Sequence, residues 1–276
     1  MRRKNVCFVG YGSTEYSRKS EESQLGHYAT AIRAALNQTG LKKKDIHGLS
    51  ITTQASPDTA PHVAEQLGFE LDWVLNADYG GAGGVGAVRR AADAIECGHL
   101  DVALLVGGNS FDRSVAHQRP LEYQRGNFVD VYGYGGPNSL MALIQRLHME
   151  NFGTTLEQIG KIAVAQRFNA MNNPQALFRA PMSMQDYLIS RMISDPIRLF
   201  DCVMPCSGAE CLILASEEKA KQISDKLVYL VTDAEKVHYQ VANMLPEKTT
   251  FGMKAVGEKI FAEVKREDID LFEIYD

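Results

Sequence analysis

Residues 101–108, DVALLVGG, form an apolar run closed by a glycine pair. A short run with no polar alternation reads as a strand buried on both faces. Such a strand sits inside a sheet with helices packed above and below it. The chain upstream supplies the remaining parts. NVCFVG (5–10), DIHGLSITT (45–53) and DWVLNAD (72–78) read as strands. Leu25, Ala29, Ile32 and Leu36 recur at helical spacing over 23–39, and Gly40 is a natural stop. PHVAEQLGF (61–69) reads as a short helix starting at proline, and 82–97 as a small-residue helix ending at Gly98. Strands alternating with helices define an α/β layered domain.

Residues 111–200 break that rhythm. A long polar and aromatic stretch leads into three expected helices, at 140–153, 155–173 and 183–192. Thr154 or Thr155 is the N-cap expected for the second, and Ser183 with Asp186 a capping-box start for the third. Strands are scarce here, so this is a helical insertion between strands. AECLILAS (209–216) returns to a buried strand and SEEKAKQI to a helix. A fresh strand over 226–237, a helix over 249–264 and a strand at LFEIY begin a second α/β unit. A lone sheet that small is hard to stabilise in water. The expectation is a partial gene product, inactive by itself, with a first domain at 1–225, an insertion at about 112–200, and the start of a second domain at 226–276.

The 276 residues are 45% hydrophobic, enough for a full core, and the net charge is −5. With both signs spread along the chain, nucleic acid is not the expected partner. The basic clusters Arg2-Arg3-Lys4 and Lys42-Lys43-Lys44 read as solvated ends or turns. No apolar run reaches the roughly 20 residues of a membrane span, and the N-terminus runs straight into a strand and glycine turn, so a cytoplasmic location is the default. The five cysteines, Cys7, Cys97, Cys202, Cys206 and Cys211, show neither a disulfide framework nor a good zinc spacing. His148 and His238 stand apart from any cluster, so no metal is expected.

Between the third strand and its helix lies NADYGGAGGVGAV, with glycines at 80, 81, 83 and 84. A helix mouth of this kind favours a phosphate, an activated nucleophile or a substrate oxygen. The phosphate reading is weak. The turn lacks Gly-Lys-Ser/Thr, and no well-placed acidic residue follows on the next strand.

From residue 130 onward the sequence carries GGPNSLMALIQRLHMENFGTTLEQIGKIAVAQRFNAMNNPQALFRAPMSMQDYLISRMISDPIRLFDC, then CSGAECLILAS at 206–216. The order of YGTT-EQ-like, R-NA--NP-like and SR-I--P---DC-like pieces resembles the loop domain of sterol-carrier-protein-type thiolases. CSGAECLILAS is similar to the family's SDGAAAVVLAS strand. The N-terminal half fits more loosely, and DIDLFEIYD fits the strand before the family's HDAF loop. The resemblance implies the thiolase fold, a layered α-β-α-β-α arrangement of two similar α/β halves with a helical loop-domain insertion. The second half is truncated here, and the family's GHP histidine and second C-G cysteine are absent. It also implies a homodimer.

Thiolases place a nucleophilic cysteine at the mouth of this helix, where the dipole and free N–H groups lower a thiol's pKa. Counting back from Ile95, Gly98 and Asp101, that position falls on Gly81, or on Tyr79 with a shift of two. Neither is cysteine, and Cys97 lies at the helix's other end. Asp78 and Tyr79 flank the turn. Where the family has histidine or asparagine after its final strand, this chain has Tyr275. Both departures are shared with thiolase-like aldolases of steroid side-chain degradation. These cleave 3-hydroxyacyl-CoA thioesters by retro-aldol chemistry, in complex with a small OB-fold/zinc-ribbon partner.

The resemblance therefore implies an acyl-CoA C–C lyase, with coenzyme A arriving as part of the substrate and no tightly bound cofactor. Tyr275 is the candidate for proton transfer. Gly81 and its neighbours through Gly83 are candidates for an oxyanion hole, with Asp78 beside them. Tyr79, Gly83, Tyr134 and Gly136 are candidate substrate contacts. An acetyl-CoA acetyltransferase with an unlocated nucleophile and a non-catalytic thiolase-like subunit remain the alternatives. Glu210 stands where the family has a small residue in a buried strand, and is expected to reach an interface. His117 and the 112–127 stretch are expected to be exposed or in a dimer contact. Arg167, Asn169 and Asn173 are expected to cap and brace helices. The methionines of the insertion, such as Met141 and Met184, are adaptable packing.

Overall fold

The computed structural model describes residues 5–52, 58–111, 137–237, 249 and 252–274. The chain divides into two compact units. The first holds Met1–Phe111, Cys206–Lys236 and Met253–Asp276, and the second Asp112–Pro205 and Val237–Gly252.

The first unit is built on a six-stranded sheet. Its strands are β1 (Val6–Ser13), β2 (Gly48–Thr52), β3 (Trp73–Asn76), β4 (Val102–Asn109), β7 (Gly208–Ser216) and β8 (Val228–Tyr229), in the order β3-β2-β4-β7-β1-β8. β2 runs parallel to β3 and β4, while β7 is antiparallel to both β4 and β1. The expected strand DVALLVGG is β4, and Val102 through Val106 are all buried. Helices α1 (Gln24–Thr39) and α2 (Ala60–Leu67) cover one face. There Tyr28, Ile32, Ala35 and Val63 meet Leu49, Ile51, Leu104 and Ile213. Helix α3 (Gly83–Glu96) covers the other face with Ala87, Ala91, Ala92 and Ile95 against Ala103, Leu105 and Leu214. Each aliphatic side chain fully buried this way stabilises by about 1.5–3 kcal/mol.

The local signals explain where these elements start and stop. Ser23 Oγ accepts the Gly26 N–H at 3.0 Å, and Gly40 closes α1 with φ +73°. Thr59 caps α2, whose first amide at Ala60 also donates to Asn76 Oδ1 at 2.7 Å, tying α2 to the end of β3. Helix α7 (Glu217–Ile223) starts from Ser216 and buries Ala220. Two expected strands differ. β8 is two residues long, not a strand over 226–237. It pairs with β1 at Cys7↔Tyr229 and Phe8↔Val228, extending the first unit's own sheet. Residues 271–274 make no strand, since no ladder partner faces them. Leu271, Phe272 and Ile274 stay 76%, 64% and 63% exposed. Helix α8 (Met253–Phe261) precedes them.

The second unit contains α4 (Pro137–Phe152), α5 (Leu156–Met171), α6 (Met184–Leu188) and the small hairpin β5 (Met192–Ser194) and β6 (Ile197–Arg198). Thr155 and Gln158 form a reciprocal capping box on α5, and Ser183 and Asp186 form one on α6. α6 is shorter than the 183–192 expected. The Ser190 hydroxyl bonds back to the Tyr187 carbonyl at 2.7 Å, and Met192 already belongs to the hairpin. The Arg167 guanidinium lies 5.4 Å from the centres of both the Phe178 and Phe200 rings and donates to the Ala180 carbonyl. Buried Tyr187 donates its hydroxyl to Asp201 at 3.1 Å. Among the described residues no helix is long and apolar enough to cross a membrane.

Candidate active site

The parallel strands β2, β3 and β4 all end at the mouth of α3, the usual place for a ligand in an α/β sheet. After β3 the chain crosses Ala77 and Asp78 and enters a 3₁₀ turn at Gly80–Ala82, which runs directly into α3. Gly80 adopts φ +61°, a conformation open to glycine without strain. The turn closes through Ala82 N–H to the Tyr79 carbonyl at 3.3 Å and Gly83 N–H to the Gly80 carbonyl. Those two amides are therefore engaged. The amides left ahead of the first closed bond are those of Gly80 and Gly81. Of the 81–83 span named from the sequence, Gly81 keeps its amide outside the turn's own bonds, while those of Ala82 and Gly83 are engaged. α1, α2, α5, α6 and α7 all receive a side-chain N-cap, whereas α3 receives none.

Asp78 and Gly81 are exposed. The Tyr79 ring folds back along the helix flank. It fills the space a Cβ at Gly86 would occupy, and the Arg90 guanidinium stands 5.6 Å over its centre. Arg89 and Arg90 are in turn held by Asp233 and Glu235, at 3.1 Å and 2.9 Å respectively. Gly83 is buried. A Cβ there would stand 3.0 Å from the Ala77 carbonyl and 3.6 Å from Thr52, so its place is the close approach of the helix to the strand ends. Tyr134, Gly136 and Tyr275 lie outside the described residues, as do His117 and the whole 112–136 stretch.

Beside the mouth lies a cavity of about 540 Å³ lined by Gly84, Val85 and Val88 of α3 and by Thr52, Leu105, Gly107, Leu212 and Glu210 of the sheet. The lining is apolar apart from Thr52 and Glu210. Glu210 sits on β7 opposite Gly107 of β4 and Ser13 of β1. The Tyr16 hydroxyl donates to its Oε1 in a short hydrogen bond, and Tyr11 bonds the same carboxyl. Burial raises the Glu210 pKa, partly offset by the Tyr11 bond. Burial also raises that of Tyr11, as does its bond to Glu210. The sequence reading placed Glu210 at an interface and passed over Tyr11, Tyr16 and Thr52. The available signal was a charged residue at a small-residue position in a buried strand.

All five cysteines lie among the described residues, and none lines the cavity. Cys7 and Cys211 are buried on the α1 face of the sheet, and burial pushes the Cys211 thiol up to about 12. Cys97 is exposed at the far end of α3, whose 14 residues span roughly 20 Å.

No family model matches the chain. Among curated proteins it is 30% identical to a "Steroid side-chain-cleaving aldolase" of Thermomonospora curvata over 229 residues, covering 79% of this chain and 58% of that protein. It is 31% identical to a "17-hydroxy-3-oxo-4-pregnene-20-carboxyl-CoA lyase" of Mycobacterium tuberculosis over 243 residues, covering 83% of this chain and 62% of that protein. The solved structure of an "Ltp2-ChsH2(DUF35) aldolase" superposes with a TM-score of 0.85 and 28% identity, over 94% of this chain and 69% of that one. The protein has the thiolase fold. Within that class its similarity is to the thiolase-like branch of sterol-carrier-protein-type thiolases. It spans about 58–62% of the length of these two curated relatives.

Proposed function

We propose that this chain serves an acyl-CoA C–C lyase, cleaving a branched or steroid-derived 3-hydroxyacyl-CoA by retro-aldol chemistry with no acyl-enzyme. The observation that carries the reading is that none of the first unit's thiols, Cys7, Cys97, Cys206 and Cys211, lines the cavity beside the α3 mouth. A thiolase-type transfer needs a thiolate within reach of the thioester carbon. A retro-aldol needs only a base for the 3-hydroxyl and hydrogen-bond donors for the developing enolate. The amides of Gly80 and Gly81 offer such donors at the positive end of α3. The hydroxyl proton is assigned to Tyr275, whose phenol acts once its pKa is lowered.

The apolar cavity suits a bulky acyl group. Tyr79, with one ring face against Gly86 and Arg90, would border the pantetheine entry. Gly83 would act by holding the turn close to Thr52, and Tyr134 and Gly136 would contact substrate from the insertion. The assembly we propose is a homodimer with a small OB-fold/zinc-ribbon partner. Its support is the likeness to the "Ltp2-ChsH2(DUF35) aldolase".

The test mixes the chain and an OB-fold/zinc-ribbon partner protein with a branched 3-hydroxyacyl-CoA and analyses the products. Equal amounts of a carbonyl compound and a shortened acyl-CoA are expected. Acyl transfer to free coenzyme A would instead support the acetyltransferase alternative, and no turnover a non-catalytic subunit.

A further inference from the structure

Glu210 is the sole ionisable side chain among the described residues that line the cavity at the α3 mouth. Among the described residues every other group lining that cavity is neutral or apolar, and the carboxyl's hydrogen-bond partners Tyr11 and Tyr16 are phenols. β1 contributes Tyr11, Ser13 and Phe8, β2 Thr52, β4 Leu105 and Gly107, and α3 Gly84, Val85 and Val88. The cations of α3 are committed elsewhere, Arg89 to Asp233 and Arg90 to Glu235. A carboxyl without a cation in an apolar recess costs stability, and its two tyrosine donors only partly offset that cost. A small residue would serve packing better, so the carboxyl calls for another explanation. Its position supplies one. Glu210 lies across the ladder from Gly107, and a Cβ at Gly107 would overlap Thr52 Oγ1. Thr52 in turn touches the site of Gly83. One short path therefore joins the carboxyl to the helix mouth.

We propose that Glu210, oriented by the hydroxyls of Tyr11 and Tyr16, is the proton donor to C2 of the thioester enolate. The inference rests on the retro-aldol reading. When the C2–C3 bond breaks, its electron pair passes into the enolate and the 3-oxygen becomes a carbonyl, its proton having gone to the base. The enolate collapses by taking the Glu210 proton at C2, which leaves acyl-CoA and a carboxylate. Water then reprotonates the carboxylate, and no electron is gained or lost. The upward shift from burial suits a donor, since it keeps the acid form to a higher pH than an exposed glutamate would.

The reverse of this step can be read without cleavage. The chain, in complex with the OB-fold/zinc-ribbon partner proposed above, is incubated with butanoyl-CoA in D₂O, and loss of the C2–H signal is followed by proton NMR. Wild type should exchange. Glu210→Gln should exchange about 10²- to 10⁴-fold more slowly, and Glu210→Asp should retain part of the rate. The same variants separate a functional from a structural role by thermal melting across pH. A raised folded pKa means stability present below the unfolded glutamate value of about 4.3 is lost as pH rises through the folded value. Glu210→Gln escapes that loss, so its melting temperature should rise relative to wild type as pH climbs through that window.

No exchange by wild type overturns the proposal, and so does unchanged exchange in a folded Glu210→Gln. If Glu210→Gln does not fold, Glu210→Asp decides, and exchange at the wild-type rate overturns it. Glu210-dependent exchange without 3-hydroxyacyl-CoA cleavage would uphold the proton donor while sinking the lyase reading. Cleavage without Glu210-dependent exchange would do the reverse.

Discussion

Glu210 and Cys211 are sequence neighbours on β7, yet they face opposite sides of the sheet because strand side chains alternate. The carboxyl enters the cavity at the α3 mouth, and the thiol is sealed under α1 with its pKa pushed up to about 12 by burial. The Cys211 thiol is thus kept off the face that carries the cavity by a one-residue offset. The same separation governs thiol reactivity in the folded protein. Iodoacetamide at pH 8 should label exposed Cys97 and leave Cys7 and Cys211 unmodified, as read by peptide mass mapping. Labelling of Cys211 in the folded state would mean its face of the sheet opens to solvent. That neither Gly81 nor, with a shift of two, Tyr79 is a cysteine could be read from residue order alone. The Glu210 triad could not. Tyr11 and Tyr16 lie about 200 residues upstream, and only the antiparallel pairing of β1 with β7 brings them together.

At the scale of elements, the apolar packing of α1 on the sheet is joined by a close backbone approach. Gly12 of β1 sits so near α1 that a Cβ would overlap the Ala31 carbonyl and the Ala35 amide, both backbone atoms of the helix. Gly12→Ala should therefore destabilise by at least about 2 kcal/mol, measurable by urea unfolding. Stability within a few tenths of a kcal/mol of wild type would mean α1 can slide. Most elements were legible because their signals are local. Thr155 and Ser183 cap the helices where the sequence places caps, and β4 is the buried apolar run. The misread elements depend on distant partners. β8 is cut to two residues by the length of its contact with β1, and LFEI stays unpaired although its composition favours a strand. α6 ends early because the hairpin claims Met192.

For the whole molecule, a fold whose central helix mouth elsewhere carries a nucleophile here presents a bare glycine turn with a carboxyl beside it. The thiolase fold itself was legible through motifs in the insertion. The chemistry was legible only as a lost residue, and the acid that takes part in its place came from the three-dimensional pairing. The account turns on turnover without a covalent intermediate. The most direct measurement is the intact mass of the chain, sampled while it is incubated with its partner and a branched 3-hydroxyacyl-CoA. The account expects the mass of the unmodified chain at every time point while the carbonyl product accumulates. An acyl adduct that forms and decays at the rate of turnover, on any cysteine, would contradict it.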